Sequence, residues 1–185
     1  MLPDRAFFDR LADAAKAETL PRFRTGMDIV NKQQGGFDPV TEGDRAAEAA
    51  IRALIEAEFP EHGILGEEQG NIGLDREHVW VIDPIDGTRA FISGLPVWGT
   101  LIGFQSSGRA VMGMMDQPFT GERYFADGES SWYRGPDGAR RVAEVAVLRR
   151  GPDGRVVAVP AVTFPLDGST VEHPEARLLG ERLGR

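Results

Sequence analysis

Residues 79–89 read Val79-Trp80-Val81-Ile82-Asp83-Pro84-Ile85-Asp86-Gly87-Thr88-Arg89. An apolar run ends on a carboxylate, a second carboxylate follows three positions on, and a glycine and a hydroxyl come next. Val79 to Ile82 suit a buried strand, because β-branched and aromatic side chains pack well on a pleated surface. Pro84 has no N–H to give to a ladder, so the strand is expected to stop near Asp83. Both carboxylates then stand at the carboxyl end of a strand, where ligands of open α/β sheets commonly bind. Two carboxylates this close repel unless a cation lies between them. Magnesium suits the pair, since it takes hard oxygen ligands and keeps several waters. Gly87 lacks a Cβ, so a phosphate can approach the backbone there. If residues 88–92 open a helix, its first N–H groups face an anion. As a bare fragment, the same residues also read as an Asp-Pro turn with an N-cap.

Two other stretches carry acids. Glu67-Glu68 follow Ile64-Leu65-Gly66. Alone they read as a solvated turn. Beside the strand ending at Asp83, Glu67 completes a metal shell. Asp44 falls in the first turn of a helix, where it either favours the helix dipole or holds a water or hydroxyl near the metals.

That helix is the clearest local element. Ala47, Ala50, Ile51, Leu54, Ile55 and Phe59 recur at helical steps, Thr41 with Asp44 resembles a capping box, and Pro60 helps to end it. An earlier helix is expected over residues 4–24, disturbed by Pro21. Residues 31–40 read as a polar, glycine-rich loop. Short strands are expected over residues 63–65 and 78–82. Residues 97–105 and 109–116 read as a hairpin around Ser106-Ser107-Gly108, with a further strand over residues 122–126. Helices first and antiparallel strands later make a mixed α and β class.

The 185 residues suit one sizeable domain, and 41% apolar residues can supply its core. The net charge of −8 argues against broad nucleic-acid affinity. No cysteine is present, which excludes thiolate metal sites and fits a reducing cytoplasm, the expected location. Met1-Leu2-Pro3-Asp4-Arg5 does not read as the start of a signal peptide. No apolar run approaches the roughly 18 residues of a membrane span. His62, His78 and His173 show no ligand spacing, and Ser130-Ser131 have no nearby histidine for a triad. Trp80, Trp98 and Phe104 read as core. Residues 103–108 lack the spacing of a nucleotide loop. Two units are expected: residues 1–135 as a metal- and phosphate-binding domain, and 136–185 as a divergent tail, truncated or poorly ordered. The tail is rich in Arg and Gly, with Pro-Asp-Gly at 136–138 and 152–154 and one strand over 156–164.

Gly66-Glu67-Glu68 followed by Asp83-Pro84-Ile85-Asp86-Gly87-Thr88 resembles the inositol monophosphatase family of magnesium-dependent, lithium-sensitive phosphatases. Asp38-Pro39-Val40-Thr41-Glu42-Gly43-Asp44 is similar to that family's segment before its second helix. Residues 86–103 and 115–123 resemble its histidinol-phosphatase branch, and the resemblance covers about residues 5–135. It implies an α+β fold: the N-terminal αβ half of a layered αβαβα sugar-phosphatase fold, with two helices on a mostly antiparallel sheet. It implies Mg2+-dependent hydrolysis of histidinol phosphate to histidinol and phosphate, in histidine biosynthesis. Inositol phosphate or a related sugar phosphate are the alternative substrates. A catalytically impaired chain that only binds metal or phosphate is the alternative of another class.

The resemblance also implies roles. Glu67 and Asp83, with the backbone carbonyl of Ile85, are similar to the ligands of a first metal. Asp83 and Asp86 resemble ligands of a second. Gly87 and Thr88 would offer N–H groups to the phosphate, and Thr88 and Asp44 would orient the attacking water. The implied partners are a small phosphorylated substrate and a second copy in a homodimer, with neither nucleic acid nor membrane. The family's later Trp-Asp motif, which completes the second metal site, has no counterpart after Arg140, and Asp153 and Asp167 lie in Asp-Gly turns. The first metal site and the phosphate cradle are therefore expected to form, and the second metal to be held weakly.

Overall fold

The computed structural model describes residues 2–26, 29–31, 39–128, 130–142, 144–150 and 156–162. Two helices begin at side-chain caps. Asp4 accepts from the Phe7 N–H at 2.8 Å and starts α1 (Arg5–Thr19). Thr41 Oγ1 accepts from the Asp44 N–H at 3.4 Å, while the Asp44 carboxylate accepts from the Thr41 N–H at 2.8 Å. This reciprocal capping box satisfies two helix-end donors and starts α2 (Glu42–Glu58). The first helix is shorter than expected. Its α-helical part ends at Thr19 and Leu20–Arg22 continue as a 3-10 turn. Pro21 has no N–H for the next α-type bond.

Between them, β1 (Ile29–Asn31) and β2 (Pro39–Thr41) pair antiparallel. Both ends of the expected loop at 31–40 are thus strands, and Val40 is buried. Positions 32–38, including Asp38, lie outside the described residues.

The main sheet has seven strands in chain order: β3 (Gly63–Gly66), β4 (His78–Asp86), β5 (Gly99–Ser106), β6 (Arg109–Gln117), β7 (Glu122–Ala126), β8 (Ser131–Gly135) and β9 (Gly138–Val142). Only β3 and β4 are parallel. The β5–β6 turn has Ser107 at φ 50° and Gly108 at φ 74°. Two left-handed residues match the twist of flanking strands. The sheet crosses position 135 through the β8–β9 hairpin, and β10 (Glu144–Arg150) pairs antiparallel with β11 (Val156–Val162). Positions 163–185, and His173 with them, lie outside the described residues.

α1 and α2 cover one face of the sheet. Phe8 meets Trp80 and Phe125, each at 5.1 Å between ring centroids, and Ile51, Ile55, Ile64, Ile102 and Phe104 fill the same core. The fold is α+β, with two helices on a mostly antiparallel sheet, as the sequence leads one to expect. Trp80, Trp98 and Phe104 are buried. His62 belongs to the core too. Its Nδ1 accepts from Trp80 Nε1 at 3.1 Å, and burial, then His78, lower its pKa to about 4, so it stays a neutral acceptor. No helix among the described residues is long and apolar enough to cross a membrane.

Pro84 does not end β4. The ladder pairs Asp83 with Leu101, shifts register, and resumes with Asp86 opposite Gly99. A bulge of this kind leaves a residue unpaired and bends the strand. It absorbs the missing proline N–H, and the Pro84 carbonyl accepts from Thr100 Oγ1 at 2.8 Å.

A buried arginine ties α1 to the sheet. Arg123 Nε donates to Asp116 at 2.7 Å, Nη1 to Asp9 at 2.6 Å and Nη2 to Asp13 at 2.7 Å. Arg123 is 4% exposed and Asp116 3% exposed. Removing one member of a buried pair leaves the other charge unpaired, at about 3 to 5 kcal/mol. Arg123→Met is expected to lower unfolding stability by about 3 kcal/mol in urea melts, and a change under about 0.5 kcal/mol would contradict this clamp.

Candidate functional site

Parallel pairing aligns the end of β3 with Ile82 of β4. Gly63 stands opposite Val79 and Gly66 opposite Ile82, so Glu67 and Asp83 are the next pair beyond the ladder. The pairing that turns Glu67 from a solvated turn residue into a neighbour of Asp83 is therefore present. Asp83 is pushed up to about pKa 8, first by burial, then by the charge of Glu67 and a hydrogen bond with it, then by Asp86 and Asp44. Three carboxylates thus act on a fourth. Asp83 Oδ1 is buried and has no hydrogen-bond partner. Glu67 and Asp86 are exposed, while Asp44 is 1% exposed.

Asp44 divides its two oxygens. Oδ2 accepts from the Thr41 N–H at 2.8 Å within the capping box, and Oδ1 lies 3.5 Å from Thr88 Oγ1. Thr88 Oγ1 is also 3.1 Å from the carbonyl oxygen of Ile85. One hydroxyl proton serves one acceptor at a time, so Thr88 is oriented between Ile85 and Asp44.

Gly87 precedes α3 (Thr88–Ile92) with φ 91° and ψ 37°. A Cβ there would be strained and would meet the Val97 carbonyl oxygen at 3.0 Å. The Gly87 carbonyl accepts from the N–H groups of Ala90 at 2.8 Å and Phe91 at 3.0 Å. The first N–H groups of a helix have no acceptor inside it. Phe23, Ile85, Phe91 and Trp98 form a second small core beneath this turn. Ile85 therefore buries its side chain while its carbonyl meets Thr88.

The donor set suits a hard divalent cation: carboxylate oxygens, one backbone carbonyl, and a buried carboxylate oxygen without a partner. Among the described residues, no three His, Asp or Glu side chains already stand in a ligating arrangement. Glu67 and Asp83 instead meet each other through a hydrogen bond.

One buried acid lies outside the sequence motifs. Glu48 is fully buried one turn after Asp44, beside Arg52, which is 4% exposed. Residues 44, 48 and 52 step by four and run alongside the apolar positions 47, 51 and 55. Polar residues inside a buried helical stripe are the signal that marks them.

The sequence model of the inositol monophosphatase family matches residues 4–156. A histidinol-phosphatase of Chlorobaculum parvum is 40% identical over 128 residues, which cover 69% of this chain and 49% of that protein. The chloroplastic bifunctional phosphatase IMPL2 of Arabidopsis thaliana is 43% identical over 116 residues, covering 62% of this chain and 33% of that one. The extragenic suppressor protein suhB of Bartonella henselae superposes with a TM-score of 0.66 at 28% identity, over 78% of this chain and 55% of that one. The chain spans half or less of the length of these two curated relatives.

The raised Asp83 pKa has a sign that can be measured. Between pH 4 and 8 the unfolded chain releases a proton that the folded chain keeps, so stability falls as pH rises and the loss completes above about pH 8. In chelator, the wild-type melting temperature is expected to drop from pH 5 to 9, and Asp83→Asn to flatten that drop. Identical slopes would contradict the crowding of acids around Asp83.

Proposed function

The chain belongs to the inositol monophosphatase family, and on that premise we propose that it acts as a Mg2+-dependent phosphomonoesterase on histidinol phosphate. The observation that carries the reading is the seating of Glu67 beside Asp83, whose buried oxygen has no partner, next to the Asp44–Thr88 pair. Histidinol phosphate is favoured by the 40% identity to a named histidinol-phosphatase. The residue patterns at 86–103 and 115–123 favour it too.

In this reading Glu67, Asp83 and the Ile85 carbonyl would hold one magnesium, and Asp83 and Asp86 would hold a second. Such ions lower the pKa of a ligated water and neutralise charge on a phosphoryl group. The protein's own part is orientation. The Asp44 Oδ1 and the Thr88 hydroxyl oxygen accept the two hydrogens of a water and aim its lone pair at phosphorus. The N–H groups of Gly87 and Thr88 donate to phosphate oxygens. The buried Phe23–Ile85–Phe91–Trp98 cluster keeps the turn rigid under that load, which matters because small displacements of reacting groups cost rate steeply.

A second reading is metal or phosphate binding without turnover. The lack of a ligating trio among the described residues is the observation that favours it.

Release of inorganic phosphate from histidinol phosphate, inositol monophosphate and fructose bisphosphate, with Mg2+ and with added Li+, separates the two. Histidinol phosphate is expected to be the best substrate, and Asp83→Asn to lower its turnover by about 100-fold or more. Faster hydrolysis of another substrate would reassign the leaving alcohol. Binding of phosphate without any release would establish the second reading.

A further inference from the structure

We propose that Glu48 is a positioning residue, which holds the turn carrying Glu67 from inside α2. The inference deepens the phosphatase reading and rests on it. Glu48 Oε2 accepts from the Glu68 N–H at 2.7 Å, and Oε1 accepts from the Gln69 N–H at 3.0 Å. Arg52 Nε donates to Glu48 Oε1 at 2.8 Å, and Arg52 Nη2 donates to the Gln69 carbonyl at 3.3 Å. A glutamate and an arginine one helical turn apart thus bracket the backbone of two residues, and those residues directly follow Glu67.

A buried charge pair rarely adds net stability over apolar side chains of the same shape. Among the described residues, every further bond of the pair goes to the Glu68–Gln69 backbone. Charge-assisted bonds of this kind are short and directional. They fix the two peptide planes after Glu67 and hence the direction in which Glu67 leaves the strand.

The same helix carries Asp44 four residues earlier, on the same face. One rigid element therefore sets the spacing between Asp44 at its first turn and the Glu67 turn at its second. Gly66 fits this account. A Cβ on Gly66 would collide with Glu48 Oε1 and Arg52 Nη2, so only glycine lets the bracket reach across the end of β3.

The test uses Mn2+ alone as the probe. Free Mn2+ is read by electron paramagnetic resonance in titrations of the whole chain, and amide hydrogen exchange is read at positions 68 and 69. Glu48→Gln keeps the shape but removes the charge, and is expected to weaken Mn2+ binding about 10-fold or more and to speed exchange at both amides. Gly66→Ala keeps both charges but crowds the bracket, and is expected to do the same. Arg123→Met, which breaks the ion cluster with α1 and leaves every partner of the Glu48–Arg52 bracket in place, is expected to keep wild-type affinity below its melting temperature. Wild-type affinity and exchange in the folded Glu48→Gln or Gly66→Ala protein would overturn the proposal. Equal weakening in Arg123→Met would overturn it too, because the effect would then be loss of stability alone. No Mn2+ binding by the wild type, or undiminished binding by Asp83→Asn, would instead overturn the phosphatase reading on which it rests.

Discussion

The parallel pairing of β3 with β4 is the constraint on which the site depends. It is the one parallel contact in a sheet that is otherwise antiparallel. β3 stops at Gly66 while β4 runs on past Ile82, so the residue that follows β3 stands beside the next residue of β4. Here those residues are Glu67 and Asp83. A slip of one residue would send every side chain of the strand to the other face of the sheet, and the two acids would part. The connection that makes parallel pairing possible is fastened in several places. Ile64 and Ile72 exchange backbone hydrogen bonds at 2.8 and 2.9 Å. Arg76 Nη1 donates to the carbonyls of Pro60 at 3.1 Å and His62 at 2.7 Å. Gly63 lets the Gly73 backbone pass close by, where a Cβ would collide.

Fold and site use the same groups. Asp44 caps α2 with one oxygen and faces Thr88 with the other. Ile85 packs its side chain into the small second core and turns its carbonyl to Thr88. The bulge at Pro84 stabilises β4 through Thr100 and also spaces Asp83 from Asp86. Asp83 is the exception, since its burial beside other acids opposes folding at high pH. A carboxyl group held in such surroundings is a functional candidate on physical grounds.

Much of this was legible in the residues. The Thr41–Asp44 box and the apolar spacing behind it located α2, because the cap and the helical period agree. The break Ser106-Ser107-Gly108 between two apolar runs located the β5–β6 hairpin, because a short polar stretch ending in glycine between two strand-like runs is a turn signal. The acids at 83 and 86 and the glycine at 87 were legible as one group from their spacing. Other features depended on contacts distant in sequence. That β4 passes through Pro84 depends on the Thr100 hydroxyl, sixteen residues away. Arg123 gains its place from Asp9 and Asp13 on α1, more than a hundred residues away. The position of Glu48 and Arg52 beside the buried stripe of α2 is readable in the sequence, but their partners, the Glu68–Gln69 backbone, lie about twenty residues away.

The central claim is that the acid following β3 and the acid beside it in β4 converge on a cation. The most direct measurement is an anomalous difference map from a crystal of this protein soaked in manganese. The account predicts a peak between the carboxylates of Glu67 and Asp83, with the Ile85 carbonyl among its neighbours. Manganese bound elsewhere on the surface, with Glu67 and Asp83 still bonded to each other, would contradict it.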